Sequence, residues 1–353
     1  MLKKVLFSLS YLILFANCAK DNPHINVVCE LVPNGTYLIK WETFPPLEGT
    51  VRIYESNRTD SFNLNSPIAE QSIDAGFQRV LAMPTSSRNY FKLVFNKKHS
   101  IVTTERTIPM QDVFNFRDLG GYFNKDNKQI QWGKIYRSGS LAMADKPDIG
   151  VLTRLGIETI IDFRTERESY LFPNKFKAPH VYNLPLRGNR HDIFFGEILS
   201  QKMKREDILA YDQDVFSFVL ENNADYFIKM FDVLLEEKNY PIVIYCSLGK
   251  DRTAIASALI LAALDIEFDV ILDDYLLSND LINYRSLVRN ADMYPYEVQE
   301  TITALFRAHR ETIKYSFDLL KANYGSIDNY FEKELKLTSR KREKLRDILL
   351  YSN

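Results

Sequence analysis

Residues 241 to 264 read PIVIYCSLGKDRTAIASALILAAL: a short apolar run, a compact polar loop, and a second apolar run of different character. The first run, Ile242 to Tyr245, is β-branched and uninterrupted, the pattern of a strand covered on both faces in a parallel sheet. The second, from Thr253 on, is rich in Ala and Leu and apolar nearly all round, which predicts a buried helix. Strand, loop and helix in that order are the unit of an α/β domain. A tight loop at a helix N-terminus aims successive backbone N–H groups inward and makes a nest for an anion. Here the nest would draw on Ser247, Leu248, Gly249, Lys250 and Asp251, with Gly249 allowing the sharp turn and Arg252 offering a planar fork to two phosphate oxygens. Cys246 lies at the loop's floor, close to the positive end of the helix and to two cations, conditions that favour a thiolate. Thr253 is placed to hydrogen-bond that sulfur. A thiolate beneath a bound phosphate is positioned to attack phosphorus. Taken singly, each feature is commonplace; cysteine, five residues, arginine and threonine between a buried strand and a buried helix form a specific combination.

Outward from this stretch the same grammar continues. ETIIDF reads as a second buried strand, DVFSFVLENNADYFIKMFDVLLEE as one amphipathic helix, and the chain from Val298 on as helical with a charged exterior. Residues 109–353 are therefore expected to form an α/β domain with a mostly parallel central sheet and a helical C-terminal part. Residues 25–108 differ. INVVCEL, TYLIKWET, GTVRIYES, RVLAM, YFKLVF and IVTTERT alternate apolar and polar positions between Gly, Pro and Asn clusters, the pattern of an antiparallel β-sandwich. The placement of Trp41, Tyr54 and Tyr90 resembles an immunoglobulin-like fibronectin type III module, in which such aromatics fill the core. The whole is a multi-domain chain.

The 353 residues carry 45 Lys and Arg against 46 Asp and Glu, for a net charge of -1, with 46% hydrophobic residues. That balance argues against a general nucleic-acid binder. The N-terminus has two lysines and an apolar stretch from Val5 to Ala16, too short to span a bilayer, followed by FANC. This reads as an export signal over 1–17 with a lipobox-like end, leaving Cys18 lipidated on a tether over 18–24. The implied location is a bacterial envelope membrane, with contact through the N-terminal lipid only. Cys29 and Cys246 then remain, without an even disulfide framework, so Cys246 is expected as a free thiol. The five histidines are scattered, and neither metal nor cofactor is expected.

The loop matches the protein tyrosine phosphatase signature, and its GKDRT resembles the atypical bacterial tyrosine and lipid phosphatase family. NFRDLGGY (115–122), IYRSGSL, IIDFRTERE, DDYLLSN and the C-terminal YGSIDNYFEKELKLT are similar to that family's landmarks, in its order, over about 109–353. The resemblance implies a metal-free phosphatase acting on phosphotyrosine protein or a related phosphomonoester. Cys246 would form a phosphocysteine, an acid would protonate the leaving oxygen, and water would then release phosphate. The alternatives are a phosphoinositide or inositol-phosphate phosphatase, suggested by the extra cation Lys250, and a phosphate-binding pseudophosphatase acting as an interaction protein. The matching position for the acid is Asp162, favoured because the acid must face the leaving oxygen; Asp251 in the loop is its rival. Arg117 and Asp118 are expected to form a structural ion pair, with Arg137 similar or touching substrate. One departure stands out: the family usually has histidine before the cysteine, and this chain has Tyr245.

Overall fold

The computed structural model describes residues 23–32, 35–81, 88–188, 196–288 and 290–352; the expected signal segment and Cys18 lie outside the described residues. Seven strands form the N-terminal part: β1 His24–Leu31, β2 Thr36–Phe44, β3 Thr50–Ser56, β4 Ala69–Ser72, β5 Phe77–Leu81, β6 Tyr90–Phe95 and β7 His99–Thr103. They make two antiparallel sheets, ordered β1-β2-β5 and β4-β3-β6-β7. Alternation turns Ile39 and Trp41 of one sheet and Val51, Ile53, Phe91, Leu93 and Phe95 of the other into a shared core. Trp41 secures its ring by donating from Nε1 to the Ile73 carbonyl at 2.7 Å. Trp41, Tyr54 and Tyr90 are all buried. Strand β4, AEQS, was not expected; it is short and polar and pairs only with β3.

The second part is built on a five-stranded sheet of β8 Arg117–Asp118, β9 Ile135–Ser138, β10 Thr159–Asp162, β11 His180–Asn183 and β12 Ile242–Tyr245, in the order β11-β10-β12-β9-β8. Strands β9 to β12 pair in parallel and β8 runs antiparallel at the edge. Strand β12 is central and wholly buried, which is why it is aliphatic up to Tyr245, whose hydroxyl finds its partners in Asp162 and Arg164. The helices are α1 Lys146–Arg154, α2 Glu166–Leu171, α3 Ile208–Asn222, α4 Ala224–Leu234, α5 Arg252–Ala263, α6 Phe268–Leu276, α7 Tyr296–Phe306, α8 Arg310–Tyr324, α9 Ile327–Lys333 and α10 Ser339–Leu349, with shorter turns between them. The single helix expected over 214–237 is two, divided at Asn223. Its side chain donates to the Val219 carbonyl at 2.9 Å, a group that a continuous helix would use itself, and accepts from the Arg187 N–H at 2.9 Å. Helix α5 is buried on nearly every side, as its composition requires.

The two parts are joined through a polar and aromatic seam. Trp132 donates to the Val102 carbonyl at 2.8 Å and packs with Tyr90 and Val102. Gln129 also meets Val102, donating to its carbonyl at 2.9 Å. Arg88 pairs with the fully buried Asp118. Arg106 lies over the rings of Tyr122 and Trp132, at 3.8 and 4.9 Å. The glycines of NFRDLGGY belong to this seam: Gly121, at φ +85°, has the Trp132 indole where a Cβ would stand.

Candidate active site

Strand β12 delivers Cys246 to the C-terminal edge of the sheet, where open α/β sheets collect ligands, and the chain turns at once into α5. Cys246 is 3% exposed and free. The loop between them is held from outside by its carbonyls. The Ser140 N–H donates to the Ser247 carbonyl at 3.0 Å, Asn115 Nδ2 to that of Leu248 at 3.2 Å, and Arg137 Nη2 to that of Gly249 at 2.7 Å. With three successive carbonyls turned outward, the intervening N–H groups turn inward. Among the described residues, the N–H groups of Ser247 to Asp251 donate to no protein oxygen. Gly249 makes this geometry possible twice over. Its φ is +68°, and a Cβ there would lie 2.3 Å from the Ser138 carbonyl oxygen.

Arg252 is buried and gripped by Glu168, a residue the sequence reading passed over. Its Nη1 and Nη2 donate to the two Glu168 carboxylate oxygens at 2.7 and 2.8 Å. Ser247 Oγ donates to Glu168 as well, at 2.5 Å. Burial works against the Glu168 charge, but the Arg252 hydrogen bonds and charge outweigh it and hold the carboxyl well below the usual carboxylate range. Glu168 occupies the Nη1 and Nη2 end of the guanidinium, where the Phe163 carbonyl and Ser247 Oγ also lie at 3.3 Å. Its place is set by α2, where Thr165 caps the helix and Glu168 completes the capping box.

Asp162 is enclosed by its neighbours. It is 2% exposed, and its oxygens accept from Arg164 Nε at 3.0 and 3.1 Å, Arg164 Nη2 at 2.7 Å, Ser169 Oγ at 3.3 Å and Tyr245 Oη at 2.6 Å. Every lone pair is committed to ordering the ends of β10 and β12, whose register pairs Asp162 with Tyr245. Asp162, expected from the sequence to face the leaving oxygen, is here the partner of Arg164 and Tyr245. Burial and the neighbouring Asp162 push the Tyr245 phenol far above its ordinary value, so it stays a neutral donor. Asp251 is different: its side chain is 20% exposed, with one oxygen 3.0 Å from Lys250 Nζ.

Lys250 also departs from expectation. Its side chain is buried and its ammonium donates to the carbonyls of Leu305 and Arg307 at 2.9 and 3.1 Å, with Asp251 and Asp212 as ion partners. It ties the loop to the chain after α7; it does not extend toward a bound anion, and only its backbone N–H belongs to the nest. The Thr253 hydroxyl is buried without a hydrogen-bond partner among the described residues, so the expected bond to Cys246 is not formed here.

Arg117 and Asp118 are not paired with each other. Arg117 bonds Asp274 of α6 through Nε at 3.1 Å, and Arg137 reaches the other oxygen at 2.5 Å. These two arginines are opposed across β8 and β9, and Asp274 offsets the repulsion. Burial disfavours its charge, yet the two arginines hold the carboxyl well below the usual range. Asp118 instead meets Arg88 and the N–H groups of Gly120 and Gly133, at 2.7 and 2.8 Å. Asp112, Asp145 and Asp148 bring carboxylate oxygens within 4.8 Å of one another. Asp148 accepts from the Gln111 and Asp112 N–H groups, and Asp145 caps α1 by accepting from the Asp148 N–H. Among the described residues no helix is long and apolar enough to cross a membrane.

A family model described as the tyrosine phosphatase family matches residues 108–351. A Cupriavidus necator protein named as a tyrosine-protein phosphatase is 27% identical over 238 residues, covering 64% of this chain and 82% of the relative. The triple specificity protein phosphatase PtpB of Mycobacterium tuberculosis is 28% identical over 194 residues, covering 48% of this chain and 68% of its own. Among solved structures, the core catalytic domain of the PP-IP phosphatase SIW14 from S. cerevisiae aligns at 18% identity with a TM-score of 0.29, covering 62% of this chain and 95% of that one.

Proposed function

The chain belongs to the tyrosine phosphatase family and is a phosphoric monoester hydrolase, and from that premise we propose that it works through a phosphocysteine on Cys246 and takes phosphotyrosine or a related aryl phosphomonoester. One observation carries the reading: three outward-held carbonyls set a row of unengaged N–H groups above the thiol, beside an oriented Arg252. In the first step the Cys246 thiolate forms an S–P bond as the P–O bond to the leaving group breaks, and that oxygen takes the proton of Asp251. Water then attacks phosphorus and returns a proton to the Asp251 carboxylate. The S–P bond breaks, and phosphate leaves with the thiolate restored. Asp251 is assigned as acid because Asp162 is enclosed and Asp251 is not. Arg252 and the N–H groups stabilise the equatorial oxygens.

Substrates with extra phosphates are the weaker reading, because the cation that suggested them is occupied by Asp251, Asp212 and two carbonyls. The strand order of the N-terminal part supports, as a further part of this proposal, a fibronectin type III-like module spacing the enzyme from a lipid on Cys18.

The test is turnover of p-nitrophenyl phosphate and a phosphotyrosine peptide, with rapid acid quench to trap phosphoenzyme. Cys246→Ser should abolish turnover and the trapped phosphate, and vanadate should inhibit. Turnover that survives Cys246→Ser sinks the mechanism. Radiolabelled palmitate that enters the wild type but not Cys18→Ala would support the anchor.

A further inference from the structure

Behind the loop lies a carboxylate that the mechanism above leaves unused. Asp212, on α3, is 3% exposed. Its Oδ2 is buried without a hydrogen-bond partner among the described residues, and its nearest countercharge is Lys250 Nζ at 3.9 Å. A buried carboxylate held 3.9 Å from its countercharge costs stability that an apolar side chain would not, so its presence calls for a physical account. The lysine it approaches is the one that contacts Asp251 at 3.0 Å. Two carboxylates thus stand on one ammonium whose remaining donors are anchored by the Leu305 and Arg307 carbonyls. Lys250 cannot swing away to a third partner. It can only divide its attraction between the two acids.

We propose that Asp212 is a positioning residue for proton transfer, which competes with Asp251 for Lys250 and so keeps Asp251 available to donate to the leaving oxygen. This rests on the reading of Asp251 as the acid. With Asp212 neutral, the attraction of the anchored Lys250 ammonium falls on Asp251 alone; with Asp212 ionised, that attraction is divided between the two acids. The charged and titratable groups around Asp212 are Lys250, Asp251 and Arg252 of the loop, Tyr275 of α6 and Tyr211 of its own helix; the chain after α7 contributes carbonyls. Burial pushes both phenols well above their ordinary value, so neither carries charge near neutrality. Burial also pushes Asp212 up to about 7, with Lys250 opposing and Asp251 adding to the shift. Its change of charge therefore falls near neutrality.

The experiment compares two esters, p-nitrophenyl phosphate, whose leaving group departs without a proton, and phenyl phosphate, whose leaving group needs one. Asp212→Asn should lower kcat on phenyl phosphate about tenfold more than on p-nitrophenyl phosphate, within the range general acids supply, with little change in KM. The inflection near pH 7 in the wild-type phenyl phosphate profile should disappear. Asp212→Glu should restore both, which guards against a loss that merely reflects misfolding. In a Lys250→Met background the Asp212→Asn effect should vanish, because the shared charge is gone. Equal losses on both esters, or an undiminished effect without Lys250, would overturn the proposal. Asp251→Asn separates this from the underlying reading. If it fails to discriminate between the esters, the acid assignment falls, and this inference with it. If it discriminates while Asp212→Asn does not, only the inference falls.

Discussion

Tyr245 shows how the residue before Cys246 can do a supporting task without a charge. Its hydroxyl reaches across from β12 to Asp162 and also accepts from Arg164 Nη2 at 3.0 Å, so the strand that carries Cys246 is pinned to its neighbour by a neutral donor. Tyr245→Phe removes that donor and leaves a buried carboxylate one bond short, at a cost of about 1–3 kcal/mol. A chemical denaturation series should show a lower midpoint and a loss of unfolding free energy of that size, with activity retained at a reduced kcat. An unchanged midpoint would mean that Arg164 alone satisfies Asp162. Gly249 is less forgiving. A Cβ would have to displace the Ser138 backbone from a contact of 2.3 Å at a positive φ, so Gly249→Ala should abolish turnover by distorting the nest. Isothermal titration with vanadate would show the matching loss of anion binding, whereas wild-type vanadate affinity in the variant would refute the geometry.

At the scale of elements, what holds the loop is the Asp274 cluster that links α6, β8 and β9 to Gly249. Both Arg117 and Arg137 depend on this one carboxylate. Asp274→Asn leaves two buried arginines undercompensated, a loss of about 3–5 kcal/mol for a broken buried pair. The pH dependence follows from the sign of the shifts. The Asp274 and Glu168 carboxyls are depressed in the folded state, so the stability they contribute is complete above the unfolded value near 4 and is lost as pH falls through the lower folded values. Wild-type stability should fall between about pH 5 and pH 2, and Asp274→Asn should be less stable at neutral pH with a shallower fall. A steeper fall in the variant would contradict the assignment. These contacts also mark the limit of what the sequence makes legible. The loop reads directly because cysteine, nest and arginine are contiguous, and β12 and α5 because their burial leaves an unbroken apolar run. Asp274 acts on residues 137 and 157 positions away, and no local pattern announces that. Asp162 misleads for a related reason: a carboxylate at a strand end looks the same whether it faces a ligand or, as here, chelates the arginine two residues on.

For the whole molecule, the seam between the sheets of residues 24–103 and the catalytic part is built like an interior, with buried charge and indole rather than a wet hinge. Arg88 is 10% exposed and Asp118 not at all; Arg106 donates to the Asp118 and Gly120 carbonyls at 2.9 and 2.7 Å while covering Tyr122. From there a continuous set of contacts leads inward. The Tyr122 hydroxyl donates to Asp274 at 3.1 Å, Asp274 pairs with Arg137, and Arg137 holds the Gly249 carbonyl. Two outcomes are expected if this seam couples the parts. Calorimetry of the chain should show one cooperative transition, because domains joined by buried ion pairs do not melt independently. Arg106→Ala, remote from the loop in sequence yet linked to Asp274 through Tyr122, should lower kcat severalfold without changing the signature residues themselves. Two separate transitions, together with full activity in Arg106→Ala, would show that the sheets merely hang beside the enzyme. The first result tests packing and the second tests transmission, and the seam needs both to be true, since an interface can be rigid without reaching the loop that does the chemistry.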